Sequence, residues 1–287
     1  MRLRSPLFVP GNNDRRIEKA FELTADAVIM DLEDACPVSE KKAGRAAVAS
    51  ALAKKPKKPT MVRVNGLETA FAYQDILAIV GPHLQAIMLP KAETAKQIAI
   101  LDWLLNQLEL DRGLRLGAIG IVPLVETTAG VSNAALIACA SNRVRMLAFG
   151  AADYTLDLGC QWSRNELELL LPRQALVAAS RLAGIEPPLD TPWIALDDEN
   201  GFSESVARSR VLGFQGKLCI HPNQLPAVNS AFQPTDEELR KATAIIAAFE
   251  KAQAEGSAAI RMDGGFVDYP VVERARRVVA TARLFEQ

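Results

Sequence analysis

Short, continuous apolar runs alternate along the chain with longer amphipathic stretches. The run "DAVIMDLED" precedes "SEKKAGRAAVASALAKK", for example, and "LGAIGIVPLVET" precedes "GVSNAALIACA". The short runs are apolar throughout rather than at every second position, which is typical of strands buried on both faces of a parallel sheet. About eight such strand-then-helix units within roughly 230 residues predict an α/β fold, a (β/α)8 TIM barrel. A doubly wound open sheet is the alternative, less favoured because no G-x-G-x-x-G motif opens a helix.

The pattern changes after the eighth unit. Residues 235–287 begin with a helical stretch for which Thr235 is the expected N-cap and Gly256 the expected stop. A glycine-containing irregular segment, "SAAIRMDGGFVDYP", and a last amphipathic helix follow. We therefore predict a TIM-barrel catalytic domain over residues 1–234 and a C-terminal helical lid segment over residues 235–287.

The composition of the 287 residues is that of an ordinary globular protein, with 49% hydrophobic and 23% charged residues. The 33 basic and 34 acidic residues give a net charge of −1, so neither nucleic acid nor a membrane is expected as a partner. No apolar run approaches the ~20 residues that span a bilayer, and the apolar stretch before Pro10 is too short for a signal peptide. We therefore expect a cytoplasmic protein.

Cysteine and histidine are too sparse for the common sites built from them. The four cysteines are scattered without a C-x-x-C pair, and there are two histidines, His83 and His221. A zinc site, a disulfide framework and a Ser-His-Asp triad are therefore not expected, the last also because no G-x-S-x-G motif is present. Any metal would be held by carboxylates, which favours a hard cation such as Mg²⁺.

Charged and polar side chains stand at nearly every predicted strand end. These residues are Asp31, Glu33, Asp34, Arg63, Asn65, Lys91, Glu126, Asp153 and His221. The carboxyl ends of the strands form the active-site face of a TIM barrel, so we expect these side chains to meet at one mouth. Each of them also has a structural explanation; Glu126, for instance, would suit the N-terminus of the following helix, where negative charge is favourable.

Glu126 and Asp153 follow consecutive strands, which lie ~4.8 Å apart in a barrel. Two carboxylates that converge so closely share a proton or a cation. A Mg²⁺ ion that keeps several waters and takes substrate oxygens needs only one or two protein carboxylates, so these two residues are the candidate metal ligands. Arg63, from the third strand, is the candidate cation for a substrate carboxylate or a developing oxyanion.

The chain carries a series of longer motifs in a fixed order. They are "RSPLFVPGNN", "ADAVIMDLEDA", "VRVNG", "LPKAE", "PLVETTAGV", "FGAADYTLDLG", "LGFQGKLCIHPNQ" and "DGGFVDYPVVERA". Together they resemble the CitE-like branch of the HpcH/HpaI aldolase and citrate lyase family, which includes the citrate lyase β subunit and malyl-CoA and citramalyl-CoA lyases. The resemblance implies a barrel assembled as a homotrimer or a hexamer, with Mg²⁺ held by Glu126 and Asp153 and with Arg63 on the reacting oxygens.

The same resemblance implies where coenzyme A would bind. Its moiety would lie near Phe8, Arg15, Lys19 and the segment Ile220–His221, beside the substrate-binding Arg63. Arg15 and Lys19 have the i, i+4 spacing that places two side chains on one face of a helix. The first helix is therefore the expected wall of the coenzyme site.

Asp268, in "VDYP", resembles the family's catalytic aspartate, which reaches an adjacent subunit's active site from a C-terminal lid. The activity implied is that of a Mg²⁺-dependent carbon–carbon lyase cleaving a 3-hydroxy-acyl-CoA to acetyl-CoA and a 2-oxo acid. Asp268 would move the proton at the acetyl carbon, while Arg63 would stabilise charge on oxygen. Citramalyl-CoA is the first expected substrate, beside malyl-CoA and citryl-CoA.

Three other interpretations are kept beside this one. The chain would act on citryl-CoA as a citrate lyase β subunit with α and γ subunits as partners, or would hydrolyse the same substrates as an acyl-CoA thioesterase. A non-enzymatic complex subunit is disfavoured, because it would not need Glu126, Asp153 and Arg63 together. The candidate 2-oxo acids, glyoxylate, pyruvate and oxaloacetate, differ by a hydrogen, a methyl and a carboxymethyl group, so a small pocket decides among them.

Overall fold

The computed structural model describes residues 3–262 and 264–285, and its larger part is a barrel of eight parallel strands. The strands pair in chain order from the first to the eighth. They are β1 (Pro6–Pro10), β2 (Ala27–Asp31), β3 (Thr60–Arg63), β4 (Ala86–Leu89), β5 (Gly120–Val125), β6 (Ala148–Phe149), β7 (Leu189–Asp190) and β8 (Gly216–Lys217). The predicted (β/α)8 barrel is thereby confirmed.

Hydrogen bonds between the eighth strand segment and the first close the barrel. The Lys217 N–H donates to the Arg4 carbonyl at 2.8 Å, and the Cys219 N–H donates to the Pro6 carbonyl at 2.9 Å. The Phe8 N–H returns a bond of 2.8 Å to the Cys219 carbonyl. The first and last strands are therefore hydrogen-bonded to each other, and neither β1 nor β8 is left as an edge strand with a row of unpaired N–H and C=O groups.

The side chains that point into the barrel form one apolar cluster. Its members are Leu3, Ala27, Ile29, Met61, Ala86, Met88, Val122, Leu124, Met146, Ala148, Leu189 and Leu218. Side chains alternate between the two faces of a strand, so the residue two positions after an inward one also points inward. Arg63 follows Met61 in this way, and Glu126 follows Leu124. The two-residue spacing that places apolar side chains in the core therefore also places Arg63 and Glu126 at the carboxyl-end mouth of the barrel.

Helices surround the strands and turn the chain back after each of them. They are α1 (Asp14–Glu22), α2 (Lys41–Ala53), α3 (Ala72–Ile79), α4 (Ala95–Asp111), α5 (Thr128–Ser132), α6 (Ala134–Ala138), α7 (Ala151–Leu158), α8 (Leu170–Ala183), α9 (Glu199–Leu212) and α10 (Leu225–Phe232). Local sequence sets several ends: a capping box of Thr94 and Gln97 starts α4, and glycines with left-handed φ end α7, α8 and α9 at Gly159, Gly184 and Gly213. Short 3-10 turns lie at Val38–Glu40, Leu167–Leu169 and Pro222–Gln224.

A set of buried charges lies between the strands β7 and β8 and the helices outside them. Arg173 donates two hydrogen bonds to Glu166, of 3.0 and 2.8 Å, and two to Asp190, of 2.9 and 3.0 Å. The Lys217 ammonium donates to Asp190 at 2.7 Å, and the Ser209 hydroxyl donates to the same carboxylate. We call the four charged residues Glu166, Arg173, Asp190 and Lys217 the β7–β8 ion cluster.

The contacts within the chain group residues 1–229 into one compact unit and residues 230–287 into a second. The second unit contains α11 (Asp236–Ala254), β9 (Ile260–Met262), β10 (Gly265–Val267) and α12 (Tyr269–Phe285), with β9 and β10 antiparallel. Phe249, Val267 and Val272 form its buried apolar core. This unit therefore has a small core of its own.

The ends of α11 lie where the sequence predicts them. Thr235 forms a capping box with Glu238 at its start, and Gly256 has a φ of +85° just after its last turn. Of the predicted ranges 1–234 and 235–287, Met1, Arg2, Asp263, Glu286 and Gln287 lie outside the described residues. The assignment of these ranges to a catalytic domain and a lid stays a prediction.

Candidate active site

Arg63 lies at the centre of an ion-pair cluster at the mouth of the barrel. Its Nε and Nη2 atoms donate to the two carboxylate oxygens of Asp31 at 2.8 and 2.6 Å. Its Nη1 atom lies 2.8 Å from Glu33 Oε2 and 3.3 Å from Asp34 Oδ2, and its Cζ atom is 5.1 Å from the centroid of the Phe8 ring. One guanidinium therefore faces three carboxylates, which fixes its plane and leaves the group negatively charged.

Glu126 is buried, 2% exposed, at the end of β5. Its Oε1 atom accepts a hydrogen bond of 2.8 Å from the Lys91 N–H. A Cβ atom on Gly150 would lie 2.5 Å from Glu126 Oε2, so only glycine at that position leaves room for this carboxylate. The following helix α5 is capped by Thr127, whose hydroxyl accepts from the Gly130 N–H. Glu126 is thus not needed as a helix cap.

Asp153 lies in the first turn of α7, four residues beyond the end of β6, rather than at the strand end that the sequence suggested. It nevertheless lines the same pocket as Glu126 and Arg63, a mouth pocket of about 460 Å³. The apolar side chains that line this pocket are Leu124, Phe149, Trp162, Pro192, Ile194 and Leu218. The pocket therefore offers a charged side for oxygen-rich groups and an apolar side for carbon.

The acidic groups of the mouth are poorly compensated. They are the five mouth carboxylates Asp31, Glu33, Asp34, Glu126 and Asp153. Burial raises the pKa of Glu126 to about 8, and the nearby charge of Glu33 adds to the effect. Burial likewise raises the pKa of Glu33 to about 7, against the opposing charge of Arg63. The mouth therefore holds more carboxyl groups than cations, and burial favours the protonated forms of Glu126 and Glu33 while no metal is bound.

Lys91 is the second cation in contact with the mouth carboxylates. Its Nζ atom lies 3.6 Å from Glu33 Oε1. Burial would lower the pKa of the ammonium, but Glu33, Asp153 and Glu126 outweigh it and raise that pKa. The residue has a φ of +47°, a left-handed conformation that costs energy for a side chain other than glycine. This conformation directs the Lys91 N–H at Glu126.

The donor set of the mouth fits Mg²⁺. Carboxylate oxygens are the ligands this ion prefers, and no hydrogen-bond donor reaches Glu126 Oε2 within the described part of the chain. A divalent cation beside Glu126 and Asp153 would also favour the ionised form of Glu126, whose pKa is raised by burial and by the nearby charge of Glu33. Residues 3–262 and 264–285 bring no three His, Cys, Asp or Glu side chains into a metal-binding group. A site of two carboxylates therefore leaves the remaining positions to water and substrate.

A second pocket, of about 330 Å³, adjoins the mouth pocket along β1 and α1. The predicted coenzyme residues Phe8, Lys19 and Ile220–His221 all line it. Arg15 is exposed and does not line it, whereas its neighbour Arg16 lines both pockets. The structure thus brings most of the predicted coenzyme residues together, with Arg16 in the position expected for Arg15.

Asp268 lies in the second unit, directly before α12. Its backbone carbonyl accepts a hydrogen bond of 3.0 Å from the Val272 N–H, and its Oδ1 atom lies 3.4 Å from the Val271 N atom. Its side chain is half-buried. Within its own unit Asp268 is therefore an N-cap of α12, and its catalytic role stays a prediction.

Two features of the mouth were missed by sequence reasoning. The buried Lys41 donates to the carbonyls of Leu32 and Glu33 at 2.6 and 2.7 Å and to Asn65 Oδ1 at 2.7 Å, which holds the acidic turn after β2 in place. Gly150 provides the space for Glu126. Lys41 is on an amphipathic helix and Gly150 in a turn, so neither has a local signal that separates it from ordinary surface or loop residues.

Comparisons with known proteins identify the family of this chain. The profile of the HpcH/HpaI aldolase/citrate lyase family matches residues 4–222. The chain is 39% identical over 281 residues to the citrate lyase subunit beta of Leuconostoc mesenteroides subsp. cremoris, covering 97% of this chain and 93% of that one. It is 32% identical over 303 residues to the L-malyl-CoA/beta-methylmalyl-CoA lyase of Cereibacter sphaeroides, covering 98% and 95%. The chain therefore belongs to the HpcH/HpaI aldolase/citrate lyase family.

A solved structure matches both units of the chain. It is the protein CitE from Mycobacterium tuberculosis in complex with magnesium, acetoacetate and coenzyme A, with a TM-score of 0.80, 30% identity and 98% of each chain covered. Across the described residues, no helix is long and apolar enough to cross a membrane.

Proposed function

We propose that this protein is a Mg²⁺-dependent carbon–carbon lyase that cleaves a 3-hydroxy-acyl-CoA to acetyl-CoA and a 2-oxo acid. The observation that carries the proposal is the meeting of Glu126, Asp153 and Arg63 in one pocket at the carboxyl ends of the barrel strands. The family membership supports it, since relatives include a citrate lyase subunit and an acyl-CoA lyase.

Glu126 and Asp153 would hold Mg²⁺ in this proposal. The bound ion supplies Lewis-acid polarisation of the substrate's hydroxyl and carboxylate oxygens. Arg63, held in one plane by Asp31, stabilises negative charge that develops on oxygen as the carbon–carbon bond breaks. The apolar wall around Phe149 excludes water from the same pocket, which strengthens these electrostatic interactions.

Cleavage converts the hydroxyl-bearing carbon into the carbonyl of the 2-oxo acid, so the hydroxyl proton is lost to water. The electron pair of the broken bond stays on the carbon next to the thioester, and that carbon must receive a proton. We propose Asp268 as the acid in cleavage and as the base in condensation. The resemblance supports a lid that carries Asp268 to the mouth of a neighbouring subunit, in a homotrimer or a hexamer. The coenzyme would lie along Phe8, Lys19 and Ile220–His221, which share the pocket beside the mouth.

The test is incubation of the purified protein with Mg²⁺ and each of citramalyl-CoA, malyl-CoA and citryl-CoA. Release of a 2-oxo acid together with acetyl-CoA, abolished by EDTA, is the expected result. Release of free coenzyme A and the intact hydroxy acid would instead establish the thioesterase. Activity only after addition of citrate lyase α and γ subunits would establish the complex subunit, and full activity in EDTA would refute the metal assignment.

A further inference from the structure

A third pocket, of about 290 Å³, shares a wall with the mouth pocket, because Trp162 and Ile194 line both of them. We call it the tryptophan pocket. Its apolar lining consists of Trp162, Trp193, Ile194 and Ala195, and its charged lining residues are Arg164 and Asp198. The proposed lyase reaction gives this pocket no role.

The tryptophan pocket is a fixed, open receptor for an apolar group. The Trp193 side chain is buried, and its Nε1 atom donates a hydrogen bond of 2.9 Å to the Ala195 carbonyl. Ile194, by contrast, is 57% exposed, and Trp162 is half-buried. An apolar cavity of roughly 150 Å³ already holds a benzene ring, so this pocket can take an aromatic side chain from outside. Burial of such a ring would also cover the exposed apolar surface.

The rim of the tryptophan pocket is acidic. Arg164 pairs with Asp198 at 2.8 Å and lies 3.4 Å from Glu204. Asp197 and Glu199 flank Asp198 in the chain, and both are exposed. These four acids outnumber Arg164, so the rim favours a binding partner that brings a positive charge.

The β9–β10 hairpin of the second unit carries an aromatic ring and a cation on one face. Phe266 lies directly opposite Arg261 in the antiparallel pair, and Val267 lies opposite Ile260. Val267 and Ile260 pack in the apolar core of the unit. Because side chains alternate along a strand, the other pair points to the opposite face. Phe266 is 68% exposed and Arg261 is exposed as well, so this face matches the tryptophan pocket in polarity and charge.

Phe266 stands two residues before Asp268, the proposed acid and base. Two residues of extended chain span at most about 7 Å. The tryptophan pocket and the mouth pocket share Trp162 and Ile194. A Phe266 ring in the tryptophan pocket would therefore bring Asp268 to the edge of the mouth.

We propose that Phe266 of one copy of this chain docks in the tryptophan pocket of a second copy, with Arg261 facing the acidic rim. The contact holds Asp268 at the second copy's mouth. The inference rests on the proposed function, which assigns Asp268 to a neighbouring subunit, and it adds the surface by which the two subunits recognise each other there. Phe266 is a positioning residue in this arrangement, because it acts through Asp268 and not on the substrate.

Disulfide cross-linking tests the contact without any turnover. Phe266→Cys and Ala195→Cys are placed in separate chains that both carry Cys139→Ser, because Cys139 is an exposed native thiol. After subunit exchange and mild oxidation, a covalent pair of the two different chains is the expected result. In the control, Leu284→Cys, at an exposed position of the same unit, replaces Phe266→Cys and should give no such pair. No cross-link between the different chains, despite verified exchange, would overturn the inference.

The kinetics distinguish positioning from a merely structural role. Phe266→Ala should lower kcat about 10- to 100-fold, because Asp268 is then held less firmly at the mouth. KM and Mg²⁺ affinity should change less than about threefold, because the metal and coenzyme residues are untouched. Phe266→Leu should recover part of the loss, and Arg261→Glu should lower kcat about threefold or more. Leu284→Ala, the matched control, should leave kcat unchanged.

Filling the tryptophan pocket gives an independent measurement from the other side of the contact. Ala195→Leu should lower kcat as Phe266→Ala does, and the two changes together should have no larger effect than either alone, because both break the same contact. Multiplied effects, or an unchanged kcat in Phe266→Ala, would overturn the inference in an active lyase. A protein that cross-links but cleaves none of the acyl-CoAs would refute the lyase proposal and still support the docking site.

Discussion

The mouth carboxylates and the β7–β8 ion cluster are both built from buried charges, yet they are organised in opposite ways. In the ion cluster Arg173 makes paired hydrogen bonds to both acids, Lys217 also pairs with Asp190, and the partly exposed Arg208 also pairs with Glu166 at 2.6 Å. At the mouth, five carboxylates share Arg63 and Lys91. Each acid of the first group is therefore paired with two cations, whereas the second group holds more carboxyl groups than cations.

The difference appears in the pKa of the acids. Burial alone would raise the pKa of Asp190, but Lys217 and Arg173 outweigh it and hold that pKa below its usual range. Burial raises the pKa of Glu126 to about 8, and the neighbouring Glu33 adds to it. Buried acids that are paired with cations support the fold, whereas buried acids without enough cations favour the binding of a further cation. The direction of the pKa shift of the buried acid therefore distinguishes the two clusters.

The largest expected effect is that of Glu126→Gln on catalysis. The change removes a candidate metal ligand, and we expect kcat/KM to fall about 1,000-fold or more, in keeping with the several kcal/mol that metal catalysis supplies. The same change removes an uncompensated buried charge. Above pH 7 the metal-free variant should therefore be more stable than the wild type by about 1–3 kcal/mol.

Steady-state kinetics and urea unfolding of the metal-free protein measure these two effects. Glu22→Gln, at an exposed position on α1, is the control and should leave both unchanged. Loss of activity accompanied by loss of stability would mean that Glu126 supports the fold and would remove the contrast with the ion cluster.

Arg173→Met should have the opposite pattern. It removes two hydrogen bonds from each of the buried acids and leaves Glu166 with Arg208 and Asp190 with Lys217, which costs about 3–5 kcal/mol of the free energy of unfolding. The protein that remains folded should keep the wild-type KM. Arg164→Met, which breaks the half-exposed pair with Asp198, is the matched control and should cost less than about 1 kcal/mol. Equal small losses from both variants would show that the buried cluster contributes little.

The stability of the metal-free protein should also depend on pH with opposite signs in the two regions. A raised carboxyl pKa contributes stability below the ordinary value of 4.5, and Glu126 loses that contribution as the pH rises to about 8. Asp190, whose pKa is lowered, contributes above its ordinary value of 3.8 and loses the contribution in more acidic solution.

We expect the free energy of unfolding of the metal-free protein to fall as the pH rises from 4.5 to 8. Each buried carboxyl group with a raised pKa should contribute a fall of about 1 kcal/mol per pH unit. Saturating Mg²⁺ should remove most of this slope, and Glu126→Gln should remove its own share. A slope that persists unchanged in Mg²⁺ would place the responsible groups outside the mouth.

The repeating strand-and-helix units of the barrel could be predicted from the sequence. Continuous apolar runs predicted the strands, and the position of Arg63 and Glu126 at the ends of two runs predicted that they lie at the mouth. Asp153 lies four residues beyond its strand, because a pattern does not define where a short strand ends. On α1, one residue rotates the side chain by about 100°, and the pattern did not separate Arg15 from Arg16.

The β7–β8 ion cluster could not have been predicted from one sequence. Glu166, Arg173, Asp190 and Lys217 follow one another at separations of 7, 17 and 27 residues and look like ordinary surface charges in amphipathic helices and strand ends. Only tertiary packing brings them together and removes them from water. The charge balance that distinguishes the two regions is therefore a property of the fold and not of a motif.

The smallest expected effect concerns Lys91, which belongs to the mouth by its charge and by its backbone. Lys91→Gly and Lys91→Ala both remove an ammonium 3.6 Å from Glu33, so Mg²⁺ should bind about three- to fivefold more tightly to each. Only glycine relieves the left-handed backbone, so Lys91→Gly should be more stable than Lys91→Ala by about 1 kcal/mol. Both variants keep the N–H that Glu126 accepts from.

Calorimetric titration with Mg²⁺ and thermal unfolding of the two Lys91 variants measure these effects. Lys96→Ala, on the exposed face of α4, is the control for loss of a lysine near the same helix. Weaker Mg²⁺ binding in both variants would mean that the ammonium holds the carboxylates in place more than it repels the ion. Weaker binding in Lys91→Gly alone would assign the effect to the backbone, because the two variants differ only in how firmly the N–H is directed at Glu126.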